Sequence, residues 1–357
     1  MAEEKSATEK LLEENRIINS RTSVEMEDFF NTTEAQYDEF DEASRKKGKG
    51  YVCPNFPLFD KHMEGLESGF YLFAGESNGG KSAILTNLMF DYCTHEDNNL
   101  FGIYFALDDT KNVLIPRLIA MHEHIPISVA SKPVRYEELI DEGAEGSSTY
   151  AEQLEKRKHG LEYLKSLNKH FKIEDAIKIT CGEQIVDYLK KLKTYLATEA
   201  PDMKIICAID SVSDIQFEDP NFQRMSDKQK GDYIAINVKD WSVQLDIPIF
   251  GSIHLKKIEQ NRRPTVSDIR DSGRYIYEAD WIGLVHNDVS KNKQGATIYV
   301  SDMNTGEKLP VIELNWAKNK KSSYKGMTYH TFVPNFSLVQ ECNEEISERF
   351  NSLLYTF

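Results

Sequence analysis

Residues 73–88, FAGESNGGKSAILTNL, decide the fold of this chain. Gly75, Gly80, Lys81 and Ser82 fit the pattern G-x-x-x-x-G-K-[ST], a loop whose backbone N–H groups cradle phosphates. An apolar stretch typical of a strand precedes the loop, and a run typical of a helix follows it, with its positive end toward the anion. A glycine-rich turn without a ligand is the alternative, and a complete match in this context disfavours it. The residues expected at the phosphates are Gly75, Glu76, Ser77, Asn78, Gly79, Gly80, Lys81 and Ser82.

The composition is that of a globular protein with one large α/β domain and an appendage, or with two small domains. Of the 357 residues 40% are hydrophobic, and no apolar run is long enough to cross a membrane. The acidic start MAEEKSATEKLLEE differs from a secretory signal, so we expect a soluble, cytoplasmic protein with no membrane partner. The five cysteines and nine histidines show no spacing typical of a metal site.

Charge is distributed unevenly along the chain. The net charge of −15 argues against a surface that is basic overall. It is compatible with a local channel lined by lysines and arginines. Residues 1–44 carry thirteen acids against four bases, and RKKGKG at 45–50 is typical of a flexible linker. We therefore expect an acidic N-terminal segment over 1–50, a main α/β domain over 51–340 and a C-terminal tail over 341–357. A predicted helix at 7–20 is either a solvated tail or a linker that docks on a neighbouring subunit.

From residue 51 onward, strand patterns alternate with helix patterns, which predicts an α/β fold with a mainly parallel sheet flanked by helices. FYLFA, FGIYFAL, MKIICAI and IPIFGSI are the main predicted strands, and WIGLVH and VIELNWA follow them. The charged sequence from Lys111 to Pro201 is expected to be mostly helical. Polar residues repeatedly follow the carboxyl ends of the strands, which is where open α/β sheets bind ligands.

Three of these polar residues suit phosphate chemistry. Asp210, at the end of IICAID, is placed to order a magnesium ion together with the Ser82 hydroxyl. Asp108, at the end of the second strand, is the natural group to orient or deprotonate a water, although an aspartate there also favours a helix N-cap. His254 ends the fourth strand and could sense the γ-phosphate, although a lone histidine is more often structural.

Two basic stretches complete the pattern. Residues 254–274 contain six lysines or arginines against three acids, in a loop with glycine and proline. A solvated face is the alternative, but a loop that contacts nucleic-acid phosphates suits a nucleotide-driven motor better. Its predicted phosphate contacts are Lys256, Lys257, Arg262 and Arg263. A second basic cluster, AKNKKSSYKG, occupies 317–326.

The motifs GESNGGKS, YFALDD, IICAIDS, IPIFGSIHLKK, RPTVSDIRDSGRYIYEAD and AKNKKSSYKG come in the order typical of one family. The chain resembles the RecA-like motor domain of DnaB-type replicative DNA helicases, in a phage- or plasmid-like member. The resemblance covers Tyr51 to Phe336, most of the chain. SDIRDSG followed by EAD is its most specific part, because phosphate loops are shared by many ATPases.

The resemblance implies a RecA-like P-loop NTPase that assembles into a hexameric ring. Such a ring hydrolyses ATP, or another NTP, with Mg²⁺ at subunit interfaces and moves along single-stranded DNA during replication, in a bacterial cell or a phage-infected host. A primase or helicase loader is an expected partner. The resemblance also implies that Asp108 primes water and that His254 senses the γ-phosphate. It further implies that Arg270, Asp271 and Gly273 contact the DNA backbone. Lys318 and Lys320 would then act in the nucleotide site of the neighbouring subunit.

Three departures from the family pattern leave alternatives open. Asp108 stands where the family has glutamate, and Lys320 stands where it has arginine, which replaces a planar fork with a point charge. The N-terminal domain that contacts primase is also expected to be missing. One alternative is a RecA- or RadA-like recombination ATPase that forms filaments. The other is a nucleotide-binding assembly factor with weak hydrolysis.

Overall fold

The computed structural model describes residues 35–42, 44–45, 50–258, 262–270, 273–301 and 306–355. The chain divides into two units, Met1–Gly50 and Tyr51–Phe357. In the first unit, residues 35–42 are helical and exposed, and Arg45 forms an ion pair with Asp41. The helix predicted at 7–20 lies outside the described residues.

The second unit is built on one mixed sheet, in which ten strands are described. The strands are β1 (Gly69–Gly75), β2 (Leu100–Ala106), β3 (Phe171–Asp175), β4 (Lys204–Asp210), β5 (Pro248–His254), β6 (Trp281–Asn287), β7 (Tyr299–Ser301), β8 (Lys308–Asn319), β9 (Met327–Val333) and β10 (Leu338–Glu341). Their order is β10-β9-β8-β6-β1-β5-β4-β2-β3, and β7 pairs with β8. Strands β1 to β6 pair in parallel. The later strands pair antiparallel. The predicted, mainly parallel α/β fold is confirmed.

Helices connect and cover these strands. They are α1 (Pro57–Met63), α2 (Lys81–Thr94), α3 (Lys111–Glu123), α4 (Ile127–Ser131), α5 (Pro133–Asp141), α6 (Ser147–Ser166), α7 (Gly182–Glu199), α8 (Pro220–Arg224), α9 (Asp227–Gln244), α10 (Arg274–Glu278), α11 (Asp288–Asn292) and α12 (Glu344–Tyr355). No helix of the described residues is long and apolar enough to cross a membrane.

Side-chain alternation along the central strand explains why both faces of the sheet are covered. Phe70 and Leu72 of β1 lie in one buried cluster, with Leu189 of α7 and Ile234 of α9. Tyr71 and Phe73, and with them residues of α2, lie in a second cluster on the other face. Because successive side chains of a strand point to opposite faces, an apolar run such as β1 requires helices on both sides.

One strand falls inside the segment expected to be mostly helical. β3 pairs in parallel with β2, with Phe171 opposite Gly102 and Asp175 opposite Ala106. It has only five residues. The usual alternation of buried apolar and exposed polar residues cannot be recognised in it, because a charged residue, Glu174, is fully buried. The strand therefore lacks the apolar run that identified the other central strands.

Two smaller apolar groups lie beside the main core. Ile119 of α3, Val129 of α4 and Leu154 of α6 form a buried cluster that holds these helices together. At the end of the chain, α12 packs Phe350 against Tyr329 of β9, with ring centroids 5.2 Å apart. The last described residues are thus a packed helix.

Candidate nucleotide and nucleic-acid site

The phosphate loop leaves β1 at Gly75 and enters α2 at Lys81. Asn78 and Gly80 have positive φ angles of 59° and 99°, a conformation that glycine adopts without strain. A Cβ on Gly80 would lie 2.6 Å from Ile312 Cδ1, so a larger residue would also have to displace that methyl group. The loop closes through a 3.1 Å hydrogen bond from Gly79 N to Glu76 O.

Lys81 is held inside this loop. Its side chain is almost fully buried, and Nζ donates to Glu76 O at 2.9 Å and lies 3.4 Å from His254 Nδ1. Burial lowers the pKa of the Lys81 ammonium, while the carboxylates of Asp210 and Asp108 act in the opposite direction. The ammonium is therefore pre-positioned in a poorly solvated place, where an incoming phosphate would gain the most from it.

Parallel strands bring the other predicted groups to the same edge of the sheet. Gly75 of β1 is directly opposite His254 of β5, and β5 pairs with β4, which ends at Asp210. Asp108 follows β2, and its N–H donates to Asp210 O at 3.1 Å. His254 Nε2 lies 3.8 Å from Asp108 Oδ2. Burial, and then the charge of Lys81, lower the pKa of His254, which favours a neutral imidazole near pH 7.

Two buried hydroxyls fix the carboxylate of Asp210. Tyr104 of β2 donates to Oδ2 at 2.7 Å, and Ser252 of β5 donates to Oδ1. Both donors lie on strands that flank β4 in the sheet. Because two hydrogen bonds hold it, the carboxylate has one orientation, as an ion-ordering group needs. No local pattern pointed to either donor, since each is remote from Asp210 along the chain.

These groups surround one cavity of about 620 Å³. Its lining includes Ser77, Asn78, Gly80, Lys81, Ser82, Asp108, Asp210, His254 and Arg117. Arg117 of α3 also pairs with Asp109 at 2.8 Å, so α3 is tied to the strand end that carries Asp108. The volume lies in the range of ligand pockets, and the lysine, hydroxyl and carboxylates match a magnesium nucleotide.

Glu76 links the phosphate loop to a neighbouring loop. Its Oε2 lies 2.7 Å from Lys291 Nζ of α11, and its Oε1 accepts from Ile258 N at 3.4 Å. Lys291 also donates to Ile258 O at 3.5 Å. The predicted phosphate-binding residue Glu76 thus faces the loop that follows His254, and sequence reasoning had given Lys291 no role.

A model of the family described as DnaB-like helicase C terminal domain matches residues 52–328. The chain belongs to the DnaB-like helicase family. This confirms the resemblance inferred from the sequence motifs, and with it the prediction of a DNA replication helicase. No curated protein matches the chain.

Two solved structures agree with this fold. One is described as an ATPase domain; it is 19% identical, with a TM-score of 0.68, and the match covers 87% of this chain and 98% of that one. A DnaB-like replicative helicase, described with its interactions with primase, is also 19% identical, with a TM-score of 0.65. That match covers 87% of this chain and 66% of the other.

Two arginines in the basic loop of this helicase form ion pairs with carboxylates. Arg262 forms a two-pronged ion pair with Asp268, with both N–O distances 2.7 Å. Arg263 pairs with the buried Glu313, with Nη2 3.0 Å from Oε1. Both guanidinium groups already have carboxylate partners, so their predicted contact with DNA competes with these ion pairs.

The other predicted DNA residues lie on the surface. Lys256, Lys257, Arg270 and Gly273 are exposed, and Asp271 lies outside the described residues. The backbone ties this loop to the nucleotide site, because Arg270 N donates to His254 O at 3.3 Å and Leu255 N donates to Gly75 O at 3.2 Å.

Lys318 and Lys320 lie near the amino-terminal end of β6, whereas the phosphate loop of their own subunit follows the carboxyl-terminal end of β1. Lys318 is opposite Ile282 of β6, whereas Gly75 is opposite Val285. Three residues along a strand correspond to roughly 10 Å. Lys318 Nζ donates to Tyr277 O at 2.9 Å, and burial followed by repulsion from Lys320 lowers the pKa of Lys318 to about 8.

Proposed function

We propose that this chain is an ATP-driven helicase motor that works as a ring, most simply a hexamer, and moves along single-stranded DNA. The observation that carries the proposal is the convergence of Lys81, Ser82, Asp108, Asp210 and His254 on one cavity. Each has a separate function in phosphoryl transfer, and a glycine-rich turn without a ligand would need none of them.

Within this site, Lys81 would bind the β- and γ-phosphates, and Ser82 and Asp210 would hold the magnesium ion. A magnesium nucleotide, when bound, supplies the phosphoanhydride bond whose hydrolysis drives movement. Asp108 accepts a hydrogen bond from the attacking water and orients it. Its side chain is 60% exposed, which leaves it accessible to that water. We expect slow turnover because aspartate is one methylene shorter than glutamate.

His254 connects nucleotide to DNA. Its imidazole lies between Lys81 and Asp108, and its carbonyl oxygen accepts the hydrogen bond from Arg270. A change at the γ-phosphate that shifts the end of β5 would therefore also shift, through the backbone, the exposed basic side chains of the following loop. We propose that Lys256, Lys257 and Arg270 bind DNA phosphates there, without sequence preference.

Ring assembly would complete each site with residues from the next subunit. Lys318 and Lys320 lie away from the phosphate loop of their own chain along the strands, so we propose that they contact nucleotide across an interface. A cation placed at the transferred phosphate from a neighbouring chain stabilises the transition state. A primase or a helicase loader is the protein partner that we expect beyond the ring.

The proposal is tested by measuring phosphate release with and without single-stranded DNA, together with the oligomeric state in the presence of an ATP analogue. We expect DNA-stimulated hydrolysis by a ring and none by the Lys81→Ala variant, since Lys81 neutralises charge in the transition state. Filaments would favour a recombination ATPase. If phosphate release were unaffected both by DNA and by the Lys81→Ala substitution, the assignment of the nucleotide site would be wrong.

A further inference from the structure

His122, Glu123 and His159 bring three metal-ligating side chains together where α3 meets α6. Glu123 Oε1 lies 2.7 Å from His159 Nδ1 and 3.6 Å from His122 Nε2, and all three ligand atoms lie within 4.8 Å of one another. Zinc bonds of about 2.1 Å in a tetrahedral site put ligand atoms about 3.4 Å apart. Small side-chain rotations would therefore bring the three atoms to metal-binding distances.

A glycine makes room for the carboxylate. A Cβ on Gly160, in the middle of α6, would lie 2.8 Å from Glu123 Cγ and 3.4 Å from its Oε1. Glycine inside a helix costs up to about 1 kcal/mol relative to alanine, so its presence needs a packing reason. The Glu123 side chain is only 9% exposed, and His122 is oriented by stacking on Tyr163 with ring centroids 3.9 Å apart.

We propose that His122, Glu123 and His159 form a binding site for a divalent transition-metal ion of the zinc class, with water at the remaining position. Two imidazoles and one carboxylate suit zinc and its neighbours, whereas magnesium and calcium prefer oxygen ligands alone. In the described part of the chain this is the only such group of three histidine, cysteine or acidic side chains.

The bound ion would join α3 to α6 and stabilise the small apolar cluster that includes Ile119 and Leu154. The site could not be found from histidine spacing, because Glu123 and His159 are 36 residues apart in the sequence. His122 and Glu123 alone, adjacent on one helix, give no metal signature. The fold supplies the third ligand.

The test is zinc binding by the full chain, by calorimetry and by thermal unfolding, in excess Mg²⁺ so that the nucleotide site does not take up the zinc. We expect one equivalent of Zn²⁺ to bind and, at saturation, to raise the Tm by about 5 °C. Co²⁺ should bind at the same site with the visible absorption of a nitrogen- and oxygen-ligated ion. His159→Ala should weaken Zn²⁺ binding at least about tenfold and remove the Co²⁺ spectrum.

His159 is 71% exposed, so its replacement should leave the fold intact. Glu123→Gln, which keeps the side-chain shape, should weaken binding in the same way. His124→Asn is the matched control: this exposed neighbour has a φ of 54°, which asparagine tolerates, and it should bind zinc like the wild type. The proposal is wrong if zinc does not change the Tm of the wild type, or if His159→Ala binds Zn²⁺ with the same affinity as the wild type.

Discussion

The hydroxyl of Tyr104 donates a 2.7 Å hydrogen bond to Oδ2 of Asp210, and both residues are buried. Burial, followed by the nearby carboxylate, raises the pKa of Tyr104 well above its usual value, so the hydroxyl keeps its proton and remains a donor. The carboxylate proposed to order magnesium is thus oriented by a residue on the neighbouring strand. Ser252 holds the other oxygen from the opposite side.

Tyr104→Phe should therefore weaken the use of magnesium while it preserves the core, because phenylalanine has the same shape. A hydrogen bond to a charged group contributes about 1.5–3 kcal/mol, so we expect the Mg²⁺ concentration for half-maximal hydrolysis to rise roughly tenfold or more. Nucleotide affinity without magnesium should change little. Tyr92→Phe is the control, since Tyr92 is equally buried but its hydroxyl has no hydrogen-bond partner among the described residues. Equal magnesium dependence in wild type and Tyr104→Phe would contradict the positioning role.

The exposed Arg270 of the basic loop allows a test of the DNA path. Arg270→Ala should weaken binding of single-stranded DNA irrespective of its sequence, and should reduce the slope of log K against log salt by about 0.7, as the loss of one phosphate contact does. Arg262→Ala is measured in parallel, because a contact between Arg262 and DNA would have to compete with its ion pair to Asp268. The measurement is a fluorescence titration at several salt concentrations. A larger slope change for Arg262→Ala than for Arg270→Ala would move the path to Arg262.

Glu174 should make stability depend on pH. Burial would raise the pKa of Glu174, but hydrogen bonds from Lys111, Lys172 and Lys178 together lower it to about 2. Since this value is below that of an unfolded glutamate, the stabilisation is complete at neutral pH and is lost as pH falls from about 4.5 toward 2. The shift corresponds to at most about 3 kcal/mol, and to less because solvent screens the partly exposed lysines.

Glu174→Gln should accordingly lower the free energy of unfolding at pH 7 by roughly 1–3 kcal/mol and by clearly less near pH 3. Urea unfolding at the two pH values measures this difference. Glu345→Gln, at an exposed position of α12, should have little effect at either pH. A Glu174→Gln difference that stays constant between pH 7 and pH 3 would show that the loss does not arise from ionisation.

The sequence could predict those features that depend on residues close together along the chain. The phosphate loop and the aspartates at strand ends are local patterns, so the fold and the residues near Lys81 could be predicted from the sequence. Tyr104, Ser252 and Lys291 act through contacts between segments far apart in the chain, which no local pattern reports. The strand β3 was missed for the same reason, because the lysines that make the burial of Glu174 possible come partly from other elements. The chemical roles of the site residues stay predictions.

The location of Lys320 leads to the most specific prediction. Lys320 Nζ lies 3.6 Å from Asp280 Oδ1, at the amino-terminal end of β6, whereas the phosphate loop lies at the carboxyl-terminal end of β1. We expect Lys320 to act on the nucleotide of the next subunit. Lys320→Ala should then lower hydrolysis at least about tenfold with little loss of nucleotide binding, and Lys320→Arg should preserve or raise the rate, because arginine contacts phosphate through two donors.

Mixing two impaired variants separates action in trans from action within one subunit. In a ring that contains both Lys81→Ala and Lys320→Ala subunits, some interfaces join an intact phosphate loop to an intact neighbouring Lys320. Those interfaces should hydrolyse ATP, so turnover should partly return when the variants are mixed under conditions that exchange subunits. Lys320→Ala mixed with a Lys81→Ala, Lys320→Ala double variant is the control, since it contains intact phosphate loops but no interface in it has an intact Lys320. If mixed rings form and turnover stays at the level of that control, Lys320 does not complete the neighbour's site.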